Sequence, residues 1–535
     1  MIVPISDLSQ HGLVKDRPPH ELPLNAWSDA RNIRFRGGFA EKFLGHTAVF
    51  GAASVAPYFL LPASSLTTFW WVYAGLEKVY VTQGGFHTNI TRQTATVDVN
   101  YTGTALDRWT GAVLNGLVVL NNGKDSPQKW PSISASAQLE SLDYVTGTST
   151  WESVGYRAGA MRSYKNFLVA VDITKGATRY PHLVKWSHPA APGLIPSTWD
   201  ETDTTSDAGE YPLSQTNGFV LDCVQLRDTN IIYKEDTIHG MQFIGGLGIF
   251  RFYPIFNQIG MMARNCALEF FSGKHAVFGN GDCVVHDGQN MHSILSDKMR
   301  RTLFARIDSS KKGLCFIVYN QKFKEIWFCY CSQGAALPDE ALIWNTENGA
   351  LSFRELPGTA HINSGLVDTS AVSDLWDADT TSWDSKVTSW DDVGFTLAEP
   401  DMLIAGTTNS TLLKADSSAQ FSSANMTVML ERTGLGIPPR QDGALPDITR
   451  WKFLRALYPR IEGTIDAKVS VQVGTQDFIS GPITWQPKMD YKIGSTRRLD
   501  MRVKGRMFAV KFESQGNFNW RLHGYDLDAD FLGLV

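Results

Sequence analysis

The sequence predicts an all-β protein, an irregular β-propeller of about six to eight blades followed by a C-terminal β-sandwich. Three observations lead there. Helical periodicity is scarce, and short apolar runs bounded by Gly, Asn, Asp or Ser take its place. Those runs group into strand-only units of roughly 40 to 55 residues, the period of a four-stranded blade that buries its faces only against its neighbours. The composition, with 46 Gly, 16 Trp and only 19% charged residues, favours turn-rich sheet over helix. A pair of β-sandwiches or jelly rolls is the rival arrangement.

Residues 1–44 are polar and Pro-bearing and end in an Arg-rich strand, RNIRFRGGFAEKF, read as an arm and strand that join the C-terminal part. Residues 45–427 carry the blade-like units. Ala276-Val277-Phe278 leads through Gly279-Asn280-Gly281 to Cys283-Val284-Val285, and Asp287-Gly288 then turns the chain. Asn348-Gly349 makes a hairpin into Leu351-Ser352-Phe353, because a tight turn between strands needs two residues tolerant of positive φ. Gly84-Gly85 and Gly245-Gly246 read as further hairpin turns. The loop GLGIPPRQDGALPD breaks the pattern, and residues 428–535 supply the strands FLRALYPRIEG, AKVSVQVGTQ, RRLDMRVKGRMFAVKFES and NWRLHGYDLDAD of the sandwich. Alternation in Met507–Phe512 predicts a strand with one wet face.

The net charge of -5 gives no basic footprint for gripping phosphates, although DNA could pass without being held. Cys223, Cys266, Cys283, Cys315, Cys329 and Cys331 form no CxxC pair and read as buried, reduced thiols. The N-terminus has no secretory pattern, and stretches such as FGAASVAPYFLLPA are too short to span a bilayer, so a soluble protein from a reducing compartment is expected.

Catalytic signatures are sparse. The SxDxGxTW box of propeller glycosidases is missing, and the carboxylates Asp125, Asp172 and Asp287 fall in turns. His275, His286 and His292 cluster in one unit without metal-ligand spacing. GxSxG, P-loop, GxGxxG-helix and HExxH motifs are absent, and the sequons at Asn89, Asn100, Asn409 and Asn425 read as chance matches. No catalytic residue, cofactor or metal is therefore assigned. Basic residues gather at Arg31, Arg34 and Arg36, and again at Arg497, Arg498, Arg502, Lys504 and Arg506. The second set alternates with Leu499, Met501 and Val503, which puts its charges along one strand face that either meets solvent or an acidic partner subunit.

One stretch stands apart. WDADTTSWDSKVTSWDD repeats Trp-Asp three times at a spacing of seven, with Trp376, Trp383 and Trp390 as its rings. A WD-repeat blade carries the pair once per blade, so this is no blade signature. A heptad fails for want of a second apolar position. Asp377 and Asp379 form a DxD, yet the central Gly and distal Glu of a calcium loop are missing. The reading that remains is an insertion at about 374–395 whose Trp rings anchor a partner, since such rings bury a large apolar area on contact.

Several stretches together resemble a known family. HGLVKDRPPHELPLNAWSDARNIRFRGGFAEKFLGH is similar to the start of bacteriophage tail proteins. LVVLNNGKDSPQKW, HLVKWSHPAAPGLIPSTWD, TNIIYKEDTIHGMQFIG, HAVFGNGDCVVHDGQ and ALIWNTENGALSFRELP resemble successive propeller blades of short-tailed phage nozzle proteins, the family of tail hub and packaged-DNA stabilisation proteins. GNFNWRLHGYDLDAD looks like its close, and Trp-Asp-Thr runs recur in it. The resemblance implies a non-enzymatic structural virion protein, made in the host bacterial cytoplasm and resident in the tail. It implies a homohexameric ring below the portal and adaptor that extends and closes the DNA channel, retains packaged DNA and lets double-stranded DNA pass on ejection. Its partners would be copies of itself, adaptor or connector proteins, and tail fibres or a tip protein, with no small-molecule substrate. A ring subunit presents two different faces, and Arg498, Arg502 and Arg506 opposite the acidic 374–392 stretch are candidates for them. A receptor-binding or glycan-degrading tail spike and a cellular propeller scaffold are the alternatives.

Overall fold

The computed structural model describes residues 1–64, 69–270, 273–356, 358–367, 400–422, 424–438, 447–479 and 481–533. The Trp-Asp stretch, with Trp376, Asp377, Asp379, Trp383 and Trp390, lies outside the described residues. The chain is all-β, built from many small antiparallel sheets.

Up-and-down hairpins generate these sheets one after another. Phe59–Ser64, Phe69–Ala74, Val79–Gln83 and Phe86–Asn89 pair in sequence order into a first four-stranded sheet. A two-residue turn with Gly84 at φ +56° closes its last hairpin, a conformation open to Gly at little cost. A second sheet covers 110–141, a third 156–212, a fourth 220–257 and a fifth 267–293, each with the same strand order. The helix Asp297–Arg306 follows, seating Met299 and Leu303 in the core. Residues 316–355 form a sixth meander of four strands. The seventh set combines Thr359–Gly365, Asp401–Gly406 and Thr411–Ala415 with His46–Ala52, so its last strand is donated by the part of the chain that precedes the first sheet.

The opening strands of these sets meet side by side. Tyr156–Tyr164 lies against Thr110–Leu114 and Val220–Leu226, the latter against Ala267–Phe270, and that against Phe316–Asn320. Thr359–Gly365 touches both Phe316–Asn320 and Phe59–Ser64. Gly111 lies flush with Phe59 and Leu61, closing the sequence of contacts. Apolar cores fill the gaps between consecutive sheets, as with Val72, Trp109 and Trp130 between the first and second, or Tyr164, Ile232 and Phe250 between the third and fourth. Phe167–Lys175 shows why such strands read as unbroken apolar runs: FLVAVDI is buried on both faces, between two neighbouring sheets.

The two chain ends are woven together. Ile2–Ser6 and Phe39–Lys42 both pair with Trp520–Phe531, which in turn pairs with Lys452–Gly463. Asp29–Arg31 bridges the sixth meander to Thr427–Leu435, so a ten-stranded sheet runs from the sixth set into the C-terminal strands. One large core joins these layers, with Trp27, Phe43, Trp327, Leu430, Phe512 and Tyr525 among its members. Met507–Gln515 lies inside that ten-stranded sheet, and it buries Met507 and Ala509 as well as Phe508, Val510 and Phe512. The face expected to be wet is covered at Met507 and Ala509 and opens from Lys511 onward, where Lys511 and Glu513 are half-buried and Gln515 is exposed.

Candidate functional site: an axial cavity and its polar seams

The opening strands of all seven sets surround one cavity of about 590 Å³. Phe59, Leu61, Ala112 and Ile317 give it apolar walls, and Arg162, Asn265, Glu269 and His361 give it polar ones. Arg162 stands at the end of Tyr156–Tyr164 and ties four sheets together. Its Nε donates to Asp222 Oδ1 at 2.8 Å, its Nη2 to Asp222 Oδ2 at 2.6 Å and to Asn265 Oδ1, and its Nη1 to the Gly111 carbonyl at 3.2 Å. Asn265 completes the network by donating its backbone N–H to Asp222 Oδ2 at 3.0 Å and its Nδ2 to the Trp109 carbonyl at 3.1 Å. Burial alone would raise the Asp222 carboxyl, but the Arg162 guanidinium and the backbone donors outweigh it and hold it below the usual carboxylate range.

His361 lies on the opposite wall, between the rings of Phe59 (4.8 Å) and Phe316 (5.3 Å). Its Nδ1 accepts from the Leu60 N–H at 3.3 Å, which places the proton of the neutral ring on Nε2. Burial and the charges of Arg108 and Arg162 push this imidazole well below its ordinary pKa, so it is a neutral donor. Arg108 is buried beneath it, 5.3 Å from the Phe316 ring, donating Nη1 to the Ala360 carbonyl at 2.9 Å. Its Nε and Nη2 have no hydrogen-bond partner among the described residues.

Two further seams are polar. Between the fourth and fifth sheets the Gly288 N–H donates to His286 Nδ1 at 3.3 Å, so His286 Nε2 donates to the Tyr233 hydroxyl at 2.8 Å. That hydroxyl donates to His275 Nδ1 at 2.6 Å, and His275 Nε2 donates to the Gln225 carbonyl at 2.8 Å. Burial lowers His275 to about 3 and His286 to about 4. His292, grouped with these two by sequence, is exposed and takes no part. Among the described residues no cluster of His, Cys, Asp or Glu is arranged to hold a metal ion. At the joint of arm and body, Arg34 forks onto Glu325 (2.7 and 3.1 Å) and reaches Asp416 (2.9 Å), and Arg354 takes the other Asp416 oxygen at 2.9 Å.

The basic residues singled out from the sequence are dispersed. Arg498 precedes the strand Leu499–Gly505 and pairs with Asp500 at 3.3 Å. Arg502 is exposed in a bulge at φ +49°, where Met501 and Arg502 interrupt the register between Val503 and Asp500. Arg506 is half-buried, and its guanidinium sits 5.3 Å from the Trp451 ring with Lys504 at 4.8 Å. The strand is the edge of its sheet, so these charges also guard open hydrogen-bonding groups. Arg31 pairs with Glu355, and Arg34 is fully buried. All six cysteines are buried free thiols. Sequence reasoning missed Arg108, Arg162 and His361. Arg162 reaches partners 51, 60 and 103 positions away, so no local spacing could have marked it.

No protein-family model matches the chain, and no curated protein matches it. Among solved structures, the extracellular domain of a hybrid two-component system from B. thetaiotaomicron is similar to it at 10% sequence identity, with a TM-score of 0.28, over 61% of this chain and 41% of that one. The chain thus spans well under half the length of that neighbour. Among the described residues no helix is long and apolar enough to cross a membrane.

Proposed function

We propose that the protein is a structural, non-enzymatic ring subunit of the nozzle kind found in short-tailed phage tails, built as a seven-bladed β-propeller on a base of woven chain ends. The resemblance of ordered sequence pieces to that family supplies the biological reading. The observation that carries it is the cyclic contact of the opening strands, with the last set completed by a strand from the start of the chain. A propeller closed by such an exchange is a stiff body. Arg162, Asp222 and Asn265 at its axis are consumed by one another, which suits a scaffold more than a reaction centre.

In this reading the subunit assembles with copies of itself below the portal and adaptor, continues the DNA channel, and holds fibres or a tip protein. The charged edge Leu499–Gly505, with Arg502, forms one of its two contact faces. The mild net charge of -5 lets DNA slide past without being gripped.

Negative-stain imaging and sedimentation of the purified protein test this. Rings or short tubes are expected; compact monomers or trimers overturn the proposal and favour the scaffold or spike alternatives. The double reversal Arg498→Glu with Arg502→Glu is expected to abolish ring closure in a folded subunit. Unchanged rings would remove that edge from the interface.

A further inference from the structure

A second cavity, of about 270 Å³, opens where the arm hairpin, the C-terminal strands and the sixth set meet. Arg34, Arg36, Glu41 and Lys42 line it from the arm, Glu462 and Arg521 from the C-terminal strands, and Phe323 from the turn after Phe316–Asn320. Arg34 is spent on Glu325 and Asp416, as described above. Arg36 uses its Nε on Glu41, and Arg521 uses Nε and Nη2 on the same carboxylate at 3.2 and 3.1 Å. That leaves both Nη groups of Arg36 and Nη1 of Arg521 without a protein partner among the described residues. The buried Lys42 ammonium donates to the carbonyls of Gly516 and Phe518, each at 2.9 Å, and has a third proton to give.

Aromatic faces fix these cations. The Arg521 guanidinium lies 4.2 Å from the Phe39 ring, and that of Arg36 lies 4.8 Å from Phe323. Charge is not balanced. Arg36, Lys42 and Arg521 face Glu41 and Glu462, and Glu462 is turned outward onto His523 at 2.9 Å. One positive charge remains over, on three side chains held in place with donors unused.

We propose that this cavity binds a small oxyanion, a phosphate or carboxylate group, forked between Arg36 and Arg521 with Lys42 beside it. Guanidinium pairs match the oxygens of such groups in a planar, bidentate way. The site is independent of the ring proposal, since it belongs to the single subunit. It also joins arm, body and C-terminal strands, so occupancy stabilises their junction by mass action.

Calorimetric titration of the purified full chain with inorganic phosphate and with succinate, each against sodium chloride at matched ionic strength, is the test. Saturable binding of either oxyanion is expected, with phosphate alone marking a phosphate site and both marking a general oxyanion site. Arg521→Gln and Arg36→Lys should each weaken that binding at least tenfold. Arg455→Gln, an exposed cation on the neighbouring strand, should leave it within twofold. Circular dichroism of each unliganded variant identifies any that fails to fold, and the wild-type titrations then decide. No saturable binding by the wild type, or equal weakening by Arg455→Gln, overturns the assignment.

Discussion

The seven-set body and the layers woven from the chain ends cover the same kind of antiparallel strand by opposite means. In most of the body each strand finds its partner a turn away, as Leu114 meets Leu117 or Gln83 meets Phe86, and the seventh set, closed by His46–Ala52, is the exception. In the woven layers Ile2 pairs with Asp528 and Ala30 with Leu430. Closing such loops costs chain entropy before any contact repays it, so the woven layers depend on a completed body, while the body's hairpins can form locally. The difference extends to polar groups. The body buries His46, His239, His275, His286 and His361, whereas His523 of the C-terminal strands is exposed.

Acid should therefore separate the two regions, and this is the largest effect expected. Burial holds His46 and His286 near 4 and His275 near 3, and it pushes His361 well down too, against 6.5 for a free imidazole. Above 6.5 both folded and unfolded states carry these rings neutral, and they add no pH dependence. Between 6.5 and about 4 the unfolded chain binds protons that the folded chain refuses, so stability falls steadily as pH drops through that window. Hydrogen exchange at pH 7.5 and at pH 5 should show the fourth and fifth sheets losing protection before Trp520–Phe531. Equal loss in both regions, or a melting temperature that is flat over the interval, breaks the comparison.

Next in size is the joint between the regions. Arg34→Leu leaves Glu325 and Asp416 buried with one cation, Arg354, between them. Removing one partner of a buried pair costs about 3–5 kcal/mol, read as a lowered urea midpoint by tryptophan fluorescence. Arg34→Leu combined with Glu325→Leu leaves Arg354 matched to Asp416 and should recover most of the loss. Arg108 supplies the contrast within the body. It has one carbonyl for a partner and burial lowers its pKa, so Arg108→Leu should change stability by no more than about 1 kcal/mol, in either direction.

What could be read from the sequence follows the same division. The hairpin at Asn348-Gly349 is legible in part: it joins two paired strands and Gly349 takes a positive φ of 74°, but Asn348 does not, and pairing resumes only at Trp344 and Leu351, so the loop is longer than a two-residue turn. Short apolar runs mark the strands because, outside the seventh set, a strand's neighbours in the body are its neighbours in sequence. Met507–Phe512 is legible in part: Phe508, Val510 and Phe512 enter the large core and Lys511 is half-buried, but Met507 and Ala509, on the same face as Lys511, are buried too. The axial network around Arg162 was invisible, since its partners come from three other sheets. The alternation in the row from Arg497 to Arg506 holds for exposure, with Arg502 and Lys504 out and Leu499 and Val503 in, but the bulge at Arg502 interrupts its pairing. Nothing in LDMRVKG announces a left-handed residue.

That bulge permits the smallest and most selective prediction. Holding a side chain at φ +49° costs about 1 kcal/mol, which Gly would relieve. Gly also enlarges the freedom of the unfolded chain, and that opposes the gain by about 0.5–1 kcal/mol. Arg502→Gly should thus leave the urea midpoint nearly unchanged while deleting one exposed charge from the edge strand. If this edge is a contact face, sedimentation should show weaker ring assembly from a subunit of unaltered stability. If the charge serves only to guard the edge, the variant should instead associate irregularly, because an unguarded strand pairs with any other.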